Sequence, residues 1–369
     1  MASVIVKVTE ACNSRCLYCD VVRKQSSGAT LPLALFDTLL CRADEYLRQF
    51  PNETVELIWH GGEPLMVGPD YLAAVADLTA RRCGQTRGRL RHSMQTNLTL
   101  FSEKFIGPLR ALGIGALGTS FDPLPNVRGP GEQPDSDWYN ARFFSAVELL
   151  ERHGFAWGMI YVVTRRSLED PLGLFHWLVN LNMTSGLNLN PVLIYGDDQK
   201  DLAITPEEFV GFLGAIFPHW WEHRSRYTSV EPFSSMVTNI IDGGKALGCV
   251  YAGDCTYGHV NVAPDGRTSQ CGRSGDWNLL DYGHIADRTL DEILHDAQRR
   301  ELEARQSLLP TTECRDCRLW QLCHGGCPLD AWSKHKSFGH KSEWCEAQRG
   351  FIEKVFEPTT GVRYRPNGL

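Results

Sequence analysis

Three cysteines near the start of the sequence have the spacing of a metal-binding loop. Cys12, Cys16 and Cys19 stand at C-x3-C-x2-C within Cys12-Asn13-Ser14-Arg15-Cys16-Leu17-Tyr18-Cys19. Three thiolates on one tight loop can hold three corners of a [4Fe–4S] cluster. The fourth iron then has no protein ligand and stays open to a molecule that reacts there. A structural zinc site would want a fourth Cys or His close by, and none follows for more than twenty residues.

A second set of thiols lies far downstream. Eight of the 13 cysteines fall between Cys249 and Cys345. Cys314-x2-Cys317-x5-Cys323-x3-Cys327 is followed by Cys345 and preceded by Cys249, Cys255 and Cys271. Eight thiolates suffice for two fully ligated [4Fe–4S] clusters, although C-x2-C pairs also suit zinc. Cys41 and Cys83 sit in or at the end of predicted helices and read as core or surface residues. Disulfides are not expected. Met1 to Val8 is a short alternating stretch rather than a signal peptide, and no window has the apolar length of a membrane span. The expected compartment is the cytoplasm, where thiols stay reduced. A formal net charge of -7 gives no reason to bind nucleic acid or a membrane surface.

Polar groups also gather where apolar runs end. Gly61-Gly62-Glu63-Pro64 follows one such run; taken alone, a glycine pair there is a tight turn. Gln95-Thr96-Asn97 and Thr119-Ser120-Phe121-Asp122 end two more, and each reads either as an active-site rim or as a capped strand end.

Together these motifs resemble the radical S-adenosylmethionine (radical SAM) family with a SPASM domain. The likeness runs from Cys12 to Cys345, and the CHGGCP stretch from Cys323 to Pro328 is similar to that of peptide maturases. The resemblance implies that Cys12, Cys16 and Cys19 hold the cluster that binds SAM. Tyr18 takes the aromatic position of that loop. Gly61, Gly62, Glu63 and Pro64 match the segment whose backbone meets the SAM amino group, and Gln95, Asn97 and Ser120 would line the same cofactor. It also implies two auxiliary clusters: one on Cys249, Cys255, Cys271 and Cys327, the other on Cys314, Cys317, Cys323 and Cys345. The expected cofactors are therefore three [4Fe–4S] clusters and SAM, with a reductase such as flavodoxin or ferredoxin as electron donor.

The reaction so implied begins when a 5′-deoxyadenosyl radical abstracts a hydrogen from an unactivated C–H. Auxiliary clusters that accept the leftover electron favour a net oxidation. The leading expectation is an oxidative, cyclophane-like crosslink in a ribosomally made precursor peptide. Alternatives are a formylglycine-generating sulfatase maturase and a SPASM enzyme acting on a small molecule. Sulfatase maturases carry an Asp directly after the cysteine equivalent to Cys271, where this chain has Gly272. Asp122 is then the expected proton acceptor at the barrel mouth; its plainer reading is a cap on the backbone near Leu124. Eleven residues precede Cys12, which leaves the grip on a peptide to the barrel rim, the SPASM domain or a separate protein.

Six strand–helix units are expected to position these residues. Strands are predicted at 4–8, 55–59, 91–96, 116–121, 158–163 and 187–194, with helices over 31–50, 71–82, from Ser102, 138–153 and 172–181. Successive βα units imply a parallel sheet with helices outside and functional loops at the strand C-termini. Six units are fewer than a full barrel needs. The fold class is α/β: a partial (β/α)6 TIM barrel over residues 1–243, then a small cysteine-rich SPASM domain over 244–369. Thr205-Pro206 opens a further helix, and Val260 to Ser269 reads as a hairpin turning at Pro264-Asp265-Gly266.

Overall fold

The computed structural model describes residues 1–19, 28–194, 200–244, 249 and 255–366. They form two compact units. One comprises Met1–Gly158 with Thr256–Arg299, the other Met159–Cys255 with Arg300–Leu369.

The first unit is built on β1 (Ala2–Thr9), β2 (Val55–Gly61), β3 (Leu90–Met94) and β4 (Ala116–Ser120). Each later strand is reached through a helix: α1 (Leu33–Gln49), α2 (Pro69–Arg82) and α3 (Glu103–Leu112), while α4 (Ser136–Arg152) follows β4. β1 pairs in parallel with β2, and β2 with β3. A parallel bridge from Gln95 to Gly118 continues the order to β4. Alternation sorts the faces. Val4, Val6, Val8, Leu57 and Trp59 are fully buried, and Trp59 lies 5.0 Å from Phe36 of α1, ring centre to ring centre. The opposite face carries Lys7 in register with His60. This face turns polar at its C-terminal end, beyond Ile5 opposite Ile58.

α3 ends at Gly113, whose left-handed backbone (φ 81°) closes the helix. Ser102 stands at its N-cap as expected, but its side chain makes no capping bond.

The predicted hairpin is present as β8 (His259–Val262) and β9 (Arg267–Ser269), paired antiparallel. Its placement was not legible locally. β8 adds in parallel to β1, Ser3 opposite His259 and Val6 opposite Val262, and β10 (Asp281–His284) pairs with β9. The sheet order is β10-β9-β8-β1-β2-β3.

The fifth and sixth βα units are β5 (Ala156–Val163) with α5 (Pro171–Val179), then β6 (Gly186–Pro191) leading to α6 (Pro206–His223). α6 opens with a full capping box, Thr205 with Glu208, behind Pro206. A two-residue strand, β7 (Val230–Glu231), extends β6 in parallel; it is too short to leave a periodic signal. Within the second unit, Phe217 of α6 packs 5.3 Å from Phe351, and Phe209 lies 6.0 Å from Trp344. Among the described residues no helix is long and apolar enough to cross a membrane.

Candidate active site

The cysteine loop leaves the C-terminal end of β1 and is held from two sides. On one side lies the turn after β2. Gly62 N donates to Thr9 O at 2.8 Å and Glu63 N to Ala11 O at 2.9 Å. A Cβ on Gly61 (φ 125°) would stand 2.0 Å from Thr9 O, and one on Gly62 2.2 Å from Ala11 O. These glycines are therefore required for the turn to dock on the cysteine loop, whatever further use a ligand makes of them.

Glu63 is fully buried and works as a pin. Its carboxylate accepts from Leu65 N (2.9 Å), Thr96 Oγ1 (2.6 Å) and Asn97 N (2.6 Å), tying β2 to the end of β3. Burial raises its pKa, while these bonds and the charge of Arg128 oppose the rise. Pro64 starts a buried turn, Pro64–Val67. Asn97 Nδ2 donates to Asn13 Oδ1 at 2.9 Å and faces Cys12 Sγ at 3.9 Å. Asn13 Nδ2 in turn donates to Thr99 Oγ1 at 2.8 Å. Cys12, Asn97 and Glu63 thus share one network.

On the other side lies the Pro- and Gly-rich loop after β4. Arg15 N donates to Gly129 O at 2.7 Å and Leu17 N to Val127 O at 3.0 Å. Between those anchors Arg128 is buried, with Nη1 3.0 Å from Tyr18 Oη and its guanidinium over the Tyr139 ring. Burial alone would lower its pKa, but Cys16, Tyr139 and Tyr18 hold it up, so the cation persists. Burial pushes the Cys12 thiol up to about 12, and Glu63, Cys16 and Cys19 add to the rise. Three crowded thiols beside a buried cation fit a group that binds them as thiolates and brings positive iron with it.

Farther along the polar face, Gln95 Nε2 donates to Ser120 Oγ at 3.2 Å, joining the ends of β3 and β4. Asp122 is buried; its Oδ1 accepts from Leu124 N at 3.0 Å. Burial raises the Tyr18 pKa, Arg128 opposes the rise, and Asp122 adds to it. Three residues of this region were missed from the sequence. Lys7 Nζ forms a buried ion pair with Asp276 Oδ1 at 2.6 Å and also donates to Gly272 O at 3.2 Å. His60 Nδ1 accepts from Gly61 N at 2.8 Å, which leaves its proton on Nε2. Burial and then Lys7 lower its pKa, with Asp276 opposing, so the ring is neutral. The available signal was one charged residue inside the strand run Val4 to Val8.

The second unit brings four thiols into mutual electrostatic reach. Cys323 is pushed up to about 12 by burial, with Cys345, Cys317 and Cys314 contributing, and Cys314 up to about 11, with Cys345 and Cys317 contributing. The turn between Cys323 and Cys327 is left-handed at His324, Gly325 and Gly326. A Cβ on Gly325 would meet Leu309 Cδ1 at 2.5 Å, and one on Gly326 would meet Ser342 Cβ at 2.8 Å. The fully buried Arg305 ties this turn together through His324 O at 2.6 Å and Gly325 O at 2.8 Å. Burial lowers the Arg305 pKa; Cys327, Cys314, Cys255 and Cys323 oppose that. Cys249 is exposed and belongs to the second unit, whereas Cys271 belongs to the first and precedes the short helix α7 (Gly272–Asp276). Cys83 is a core residue, its thiol 3.6 Å from Leu40 O. Among the described residues, no three His, Cys, Asp or Glu side chains converge on a single-ion position. Cluster thiolates each take a different iron and stand farther apart than the ligands of one zinc ion.

Comparison with known proteins decides the family. The Radical SAM superfamily model matches residues 6–178, and the model of the SPASM iron–sulfur cluster-binding domain matches 249–318. The chain is a radical SAM enzyme with a SPASM domain. Those domains imply iron–sulfur clusters and SAM. This radical SAM/SPASM chain is 23% identical over 373 residues to the cysteine-type anaerobic sulfatase-maturating enzyme of Clostridium perfringens, covering 96% of each. It is 25% identical over 362 residues to the serine-type enzyme of Bacteroides thetaiotaomicron, covering 90% of this chain and 83% of the relative. Its fold is similar to that of anSMEcpe with bound AdoMet (TM-score 0.81, 21% identity, 98% of each chain). It also resembles Streptococcus suis SuiB bound to precursor peptide SuiA (TM-score 0.64, 14% identity, 93% of this chain and 75% of that one).

Proposed function

We propose that this enzyme oxidises a ribosomally made precursor peptide and closes a crosslink in it. Cys12, Cys16 and Cys19 would hold the SAM-binding cluster, and Cys314, Cys317, Cys323 and Cys345 an auxiliary one. When bound, these cofactors supply a hydrogen-abstracting radical and take up the electron left behind. The chain's own residues do the rest. Tyr18, Gly61, Gly62 and Pro64 shape the wall around the cysteine loop, while Gln95, Asn97 and Ser120 present polar groups beside it. Asp122 accepts the proton lost as the new bond forms. The substrate gives up one hydrogen atom, one proton and one electron for each bond closed. Structures of anSMEcpe with a bound peptide and of SuiB bound to precursor peptide SuiA support a peptide substrate. A reductase of flavodoxin or ferredoxin type would feed the electrons.

The observation carrying the crosslink over formylglycine is Gly272. The position directly after Cys271 holds no carboxylate, and a Cβ there would face Lys7 Cε at 3.5 Å. One observation favours the second reading, a sulfatase maturase with a displaced base: Asp276, four residues on, pairs with Lys7 on the polar face. Mass spectrometry of anaerobic reactions separates the two. A precursor peptide should lose two hydrogens and resist aldehyde trapping, and peptides with the Cys/Ser-x-Pro-x-Arg motif should stay unmodified. Asp122→Asn should lower product by about 10²–10⁴-fold, the usual loss for a general base. A trapped aldehyde, with Asp276→Asn rather than Asp122→Asn as the damaging change, would establish the second reading instead.

A further inference from the structure

The first unit contains a cavity of about 310 Å³ beside the cysteine loop, lined by residues of the β8–β9 hairpin, of α7 and of the segment after it, together with Glu10 and Ala29. Its volume is at the low end for small-ligand pockets, about 300–1,000 Å³, and suits one side chain. Asn261 is one of its walls and is 1% exposed. Its Nδ2 donates to Ser269 Oγ at 3.2 Å, and Ser269 Oγ in turn donates to Cys271 O at 3.4 Å. That chain of donors fixes the amide orientation, and among the described residues Asn261 Oδ1 is left without a hydrogen-bond partner. A buried carbonyl with no donor is costly unless a bound group supplies one.

The charge around that carbonyl specifies the donor. Among the described residues, Glu10, Asp265 and Asp281 line the cavity against one cation, Arg267, which pairs with Asp265 at 3.5 Å. Two carboxylates remain in excess. A ligand that donates hydrogen bonds to Asn261 and carries positive charge satisfies both conditions. Glu10 is two residues from Cys12 and Ser269 two from Cys271, so an occupant sits beside the chemistry.

We propose that this cavity is a recognition subsite for a basic side chain, Lys or Arg, of the peptide substrate. The inference rests on the peptide-substrate reading, and its test needs no turnover. The probes are labelled peptides Gly-Gly-Xaa-Gly-Gly with Xaa as Arg, Lys, Gln or Glu, titrated into the reconstituted enzyme. The Arg and Lys peptides should bind at least about tenfold more tightly than Gln, the scale of one charged hydrogen bond in a buried site, with Glu weakest. Glu10→Gln should erase most of that preference, and Asn261→Leu should weaken the basic peptides about tenfold at unchanged iron content. Equal binding of the Arg and Gln peptides would overturn the subsite, as would a preference that survives in both variants. Such a failure leaves peptide oxidation standing, because conversion is read separately by mass. Conversely, binding with no conversion would separate the subsite from the reaction.

Discussion

His92 shows how one side chain on the buried face ties stability to pH. It accepts a hydrogen bond from Trp59 Nε1 at 3.1 Å, and burial lowers its pKa from the ordinary 6.5 to about 3. Above 6.5 the ring is neutral both folded and unfolded, and its contribution is complete. As pH falls from 6.5 toward 3, the unfolded chain gains a proton that the folded chain refuses, and stability declines. At pH 5 the loss is about 2 kcal/mol, from 1.36 kcal/mol per pH unit below the unfolded pKa. His92→Gln should therefore cost less at pH 5 than at pH 7 by about that amount, read from urea midpoints. An equal penalty at both values would contradict the assignment. Lys7 and Asp276 mark the limit of sequence reading at this scale. A lysine within a valine-rich strand is visible, but its partner lies 269 residues away and only the fold joins them.

At the scale of elements, the six strand–helix units were legible because alternation and helical periodicity are local signals. The glycine motif was legible too, but its first physical duty was not. Gly61 and Gly62 serve the contact between two chain segments before any ligand arrives. Gly62→Ala should force the β2 turn off the cysteine loop. The expected result is a loss of about 1–3 kcal/mol, the usual range for overpacking, together with about a third of the iron after reconstitution. Wild-type iron and stability would show that the turn can yield without disturbing the loop. The loop after β4 is rich in Pro and Gly, and its backbone and Arg128 brace the cysteines. Composition registered the irregularity, whereas the pairing of Leu17 with Val127 depends on long-range geometry. The same holds for β8, whose hairpin partner is local and whose parallel partner, β1, is some 250 residues away.

For the whole molecule, the division of labour between cysteine sets makes a separable prediction. The reconstituted chain should carry three [4Fe–4S] clusters, about 12 iron atoms. Replacing Cys12, Cys16 and Cys19 together by Ala should remove about a third of the iron and all SAM cleavage. Cys317→Ala should instead spare part of the SAM cleavage and abolish product; wild-type product formation by Cys317→Ala would exclude an electron-accepting role for that cluster. The most direct measurement of the central claim is the ratio of 5′-deoxyadenosine formed to peptide converted in one anaerobic reaction with the precursor. The account predicts 5′-deoxyadenosine in step with a peptide lighter by two hydrogens per bond closed, and no aldehyde. A precursor of unchanged mass in the presence of abundant 5′-deoxyadenosine, or one that yields formylglycine, would contradict it.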